Sequence, residues 1–99
     1  MTVQIVENWT DIKGEVMDSS PGTAEDFIML KVKVEDAKDV KGHRNLLADR
    51  VGEVIQVNVP KSLWESLDIK QRATAVMRVR MSSSRKLFVH PEHLRAEKA

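Results

Sequence analysis

Apolar and polar residues alternate with a period of two along much of this chain, and clusters of turn-forming residues separate the alternating runs. No other feature limits the fold as much, because period-two alternation describes a strand with one buried face and one wet face. From Trp9 to Met17, Thr10, Ile12, Gly14 and Val16 share one face, while Trp9, Asp11, Lys13, Glu15 and Met17 share the other. Gly14 in mid-strand marks a bend or a close backbone approach. A turn-rich stretch from Asp18 to Thr23 leads to a second strand over Phe27–Glu35, with Ile28, Leu30, Val32 and Val34 in phase and Phe27, Met29, Lys31 and Lys33 opposite. Two such strands read as an antiparallel hairpin.

Residues 36–50 are polar and irregular, and Leu46 and Leu47 suggest a short helical turn or a loop tucked onto the core. A third strand is expected over Gly52–Val59, with Ile55, Val57 and Val59 inward and Val54, Gln56 and Asn58 outward. Pro60–Leu67 then reads as a short helix, since Pro suits a first helical turn and Leu63 and Leu67 fall on one face. Too short to stand alone, it must dock on something. In a fourth strand, Arg72–Met81, the outer face carries Arg72, Thr74, Val76, Arg78 and Arg80. A polar turn and a short fifth strand, Leu87–His90, end at Pro91. One domain over residues 1–99 is expected, its core within about 8–92 and a short tail over 93–99.

Several short antiparallel strands at this length point to an all-β fold, a small β-barrel with one short helix. The order of strand, strand, strand, short helix, strand, strand resembles that of the OB-fold, a five-stranded Greek-key barrel with its helix between strands 3 and 4. The resemblance rests on element order, the long first hairpin and the Leu63/Trp64/Leu67 plug, and the same elements would also suit an SH3-like barrel or another β-roll. It implies that the helix closes one end of the barrel with Trp64 in the core. It also implies an oligonucleotide-binding face on strands two and three, flanked by the first and fourth connecting loops.

Formal charge nearly cancels, at +1, yet its layout is uneven: residues 1–60 carry a net of −4 and residues 61–99 a net of +5. A basic segment of this kind suits a polyanion. The absence of Cys excludes disulfides, thiolate zinc sites and cysteine nucleophiles. No apolar run approaches the roughly 20 residues that span a bilayer, and no signal-peptide pattern opens the chain, so no membrane role and a cytoplasmic location are expected. His90, Glu92 and His93 lie close in sequence but lack a third strong ligand, and read as surface residues rather than a metal site. Ser82–Ser84 has no strained nucleophile setting, glycines are scattered, and no carboxylate pair stands out. The expectation is therefore no enzyme and no cofactor.

Two sets of outward residues suit a single strand of nucleic acid, in which cations meet phosphates and rings stack on bases. One comprises Phe27, Lys31 and Lys33 with Trp9 and Lys13 alongside. The other comprises Arg72, Arg78 and Arg80 on the fourth strand with Arg85 and Lys86 beyond it. Pairing of these arginines with Asp11, Glu15 or Asp18 is the competing reading. The first loop would add Ser19, Ser20 and Thr23, and the last turn Ser83. Only Trp9, Phe27, Trp64 and Phe88 are aromatic, which limits stacking. The leading expectation is an accessory, non-catalytic module binding single-stranded DNA or RNA. The alternative is a protein-interaction or self-association module using Trp9, Met17, Phe27, Met29 and Val54 as an apolar patch.

Overall fold

Ile12, Val16, Leu30, Val32, Val34, Val57, Val59, Ala75, Met77 and Val79 are all within 1% of complete burial, and each sits at an inward position of the alternating runs. The computed structural model describes residues 8–22, 24–67, 72–82 and 84–97. Its strands are β1 (Thr10–Pro21), β2 (Phe27–Asp39), β3 (Val54–Pro60), β4 (Thr74–Met81) and β5 (Leu87–Ala96), and one helix, α1 (Lys61–Leu67), lies between β3 and β4. The strands close a barrel in the order β1-β2-β3-β5-β4. Every pairing is antiparallel except that of β3 with β5. That parallel seam is short, only Val57 with Leu87 and Asn58 with Phe88.

Gly14 sits where β1 shifts register against β2. A Cβ there would run into the Lys33 carbonyl oxygen and lie 2.6 Å from Val32 Cγ1, so the position needs glycine for close approach. Leu63, Trp64 and Leu67 of α1 are partly buried and pack on the core, as a seven-residue helix requires. Pro60 belongs to β3 rather than to the helix. No described helix is long and apolar enough to cross a membrane.

The connection from β2 to β3 contains a 3₁₀ turn, Ala48–Arg50, and is tied down by Asn45. Its side-chain amide donates to the Ala37 carbonyl at 3.3 Å and to Asp39 Oδ1 at 2.9 Å, while its Oδ1 accepts from Leu47 N at 2.9 Å and from Thr10 Oγ1 at 3.0 Å. Leu47, 2% exposed, is thereby inserted into the core.

The fifth strand departs most from expectation. It runs through Pro91 to Ala96, and Leu94 is buried at 7% exposure in the segment expected to be a tail. Four residues, His90–His93, stand opposite the single residue Arg78 between the pairs Val79–Val89 and Met77–Leu94. A bulge of this size removes the ladder hydrogen bonds that Pro91 cannot make, so the strand resumes beyond the proline.

Candidate functional site

Because β3 and β5 meet over only two residue pairs, β3 and the β4–β5 turn diverge on one side of the seam and leave a groove of about 280 Å³. Met29 of β2, Val54 and Gln56 of β3, and Arg85 and Lys86 of the turn line it, with Leu47 and Arg50 at its end. Residues 36–50 thus flank the opening, contributing only Leu47 and Arg50 to its lining.

The turn is held by its serines. Ser82 N donates to the Lys86 carbonyl at 2.8 Å, Arg85 N to the Ser82 carbonyl at 2.9 Å, and Ser82 Oγ lies 2.9 Å from Ser84 Oγ. Arg85 takes a left-handed φ of 62°, an uncommon conformation outside glycine. Asn58, expected outward, is instead 1% exposed, and its Nδ2 donates to the Leu87 carbonyl at 3.2 Å. Its alternation is correct, but it lies at the β3–β5 seam, where its amide bridges the two strands.

Lys31 and Lys33 are exposed beside the groove, where Lys31 pairs in register with Gln56 and Lys33 with Val54. Across the other edge of β2 they face Asp18 and Glu15. Among the described residues, Lys31, Lys33, Arg80, Arg85 and Lys86 form no ion pair within 4.0 Å. Arg50 approaches Glu53 at 3.9 Å.

The β1–β4 wall behaves differently. Arg78 donates through Nε to Asp11 Oδ1 at 2.8 Å and through Nη2 to Oδ2 at 3.2 Å, a fork-on-carboxylate pair between register partners. Hydrogen bonding to Asp11, reinforced by its charge and opposed by desolvation, holds the Arg78 guanidinium above its already high ordinary range. Arg72 reaches Glu15 at 3.4 Å, and Lys13 reaches Glu97 at 3.2 Å. Arg72 also lies outside β4, in a left-handed turn with φ 72°. The expected phosphate track of Arg72, Arg78 and Arg80 therefore divides: two of its guanidiniums are paired with carboxylates, and Arg80 alone remains exposed without one.

The rings are also distributed unexpectedly. Phe27 meets Phe88 edge-on with centroids 5.8 Å apart. Trp9 packs on His90 at 5.2 Å, and His90 on His93 at 4.6 Å. Phe88 is a contact that alternation could have found, since it lies between the inward Leu87 and Val89. Among the described residues no group of three His, Cys, Asp or Glu is placed to hold a metal ion. Thr23 and Ser83 lie outside the described residues. Comparison of the chain with protein-family models, with curated proteins and with solved structures finds no match.

Proposed function

We propose that this protein is a non-catalytic, OB-like module that binds single-stranded nucleic acid in the groove between β3 and the β4–β5 turn. The observation that carries the reading is the convergence of Arg85 and Lys86, with Lys31 near by, on a groove lined by Met29, Val54 and Gln56. Cations without carboxylate partners suit phosphates, and a half-apolar floor suits base faces. The strand order β1-β2-β3-β5-β4 and the helix between β3 and β4 support the OB-like assignment.

Fluorescence anisotropy of an end-labelled oligothymidylate, read at two salt concentrations, tests it. Binding that weakens as salt rises is expected, with a slope of about −0.7 per phosphate neutralised. No binding at low salt would remove the proposal. A second reading, a protein-docking surface, draws on Val51 and Val54, which are 50% and 54% exposed near the same groove. Concentration-dependent association in sedimentation equilibrium, without oligonucleotide binding, would favour it.

A further inference from the structure

The rings outside the core are arranged across the barrel wall rather than scattered. Phe88 pairs in register with Asn58 on one side and with Arg80 on the other, and it touches Phe27. Trp9 precedes Thr10, the partner of Val79, so it lies one step beyond that pair and across from Arg80. The Asn8 side chain fixes this alignment by accepting from Met81 N at 2.8 Å and donating to the Met81 carbonyl at 3.0 Å. The β5 bulge, which begins at His90 two residues after Phe88, brings His90 back across β4 against the indole. The result is a strip of ring, cation and ring: Phe27 and Phe88, then Arg80, then Trp9, with His90 of β5 against the indole.

Resting on the nucleic-acid reading above, we infer that a single strand leaving the groove continues along this strip, with bases against the rings and a phosphate at Arg80. The rings are partly exposed, and Arg80 is exposed without an ion pair among the described residues. Asp11, the carboxylate on the adjoining strand, is occupied by both contacts from Arg78, and Glu92 stands at the far end of the bulge. From Phe88 on β5 to Trp9 at the start of β1 the strip crosses two strand spacings, about 10 Å. That path lengthens the ligand beyond what the groove alone accommodates.

The experiment compares labelled oligothymidylates of about 4 and about 12 nucleotides, lengths bracketing the site sizes of single-strand binders. The full chain and its Trp9→Leu and Arg80→Ser variants are titrated with each. The longer oligomer should bind more tightly, and Trp9→Leu should weaken it by about tenfold, as loss of one stacked base does, while the shorter one is unaffected. Arg80→Ser, at an exposed position, should weaken the longer oligomer without disturbing the fold. In a Trp64→Phe background, emission from Trp9 should be quenched by the longer oligomer alone. If both variants leave the longer oligomer unchanged while both lengths bind, the strip is overturned and the groove stands. If neither length binds at low salt, both are overturned.

Discussion

The β1–β4 wall and the groove beside the β4–β5 turn carry similar cationic side chains, yet the wall pairs all of its own but Arg80 with carboxylates, whereas Arg85 and Lys86 at the groove form no ion pair among the described residues. On the wall, register sets Asp11 opposite Arg78, and Arg72 and Lys13 find Glu15 and Glu97. At the groove, Arg85 and Lys86 project from a turn with no register partner, and Lys31 and Lys33 beside it have Gln56 and Val54 as their neighbours on β3, with Asp18 and Glu15 on the β1 side. The difference teaches that register alone does not decide whether an outward cation is spoken for: Arg78 closes on Asp11 across the β1–β4 ladder, while Lys31 and Lys33 face Asp18 and Glu15 across β1–β2 without an ion pair among the described residues.

The largest effect should come from β5, which pairs with β3 beside the groove and with β4 of the wall. Leu94→Ala should cost about 2–5 kcal/mol in urea unfolding, because the side chain is core beyond the bulge. A change below about 0.5 kcal/mol, typical of a surface site, would return residues 93–97 to the status of a tail and detach them from the wall. Next in size, Arg85→Glu combined with Lys86→Glu should weaken oligonucleotide binding by about tenfold. Thermal stability should change little, since both side chains are exposed. Smaller still is Asp11→Asn. It should lower stability by no more than about 1 kcal/mol, since Asp11 and Arg78 are 36% and 29% exposed. By releasing Arg78 it should also raise oligonucleotide affinity about two- to threefold, the wall then gaining one free cation. An unchanged affinity would show that pairing is not what separates the two regions.

Much of this was legible in the alternation. The inward sets Thr10, Ile12, Gly14 and Val16, or Ala75, Met77 and Val79, are buried as their spacing requires. Leu47 likewise reaches the core from an otherwise polar loop. What stayed hidden needs information about neighbouring strands. Pro91 reads as a strand end because it cannot donate to a ladder, and only the four-against-one bulge opposite Arg78 lets β5 continue to Ala96. Asn58 has an outward position but lies at a seam whose location depends on where β5 crosses β3. The Arg78–Asp11 pair needed the β1–β4 register, which alternation along a single strand does not contain. Arg50 belongs to the groove only because Asn45 ties down the loop that presents it.

The most direct test is the salt dependence of oligonucleotide affinity in two double variants, one on each region. With Arg85→Ala and Lys86→Ala, the slope of log K against log salt should become shallower by about 1.4, the loss of two phosphate contacts to a single strand. With Lys13→Ala and Arg72→Ala on the wall, the slope should match that of the unaltered protein. Equal reductions in the two variants would contradict the account, because cations paired with carboxylates would then be contacting phosphate as fully as those at the groove.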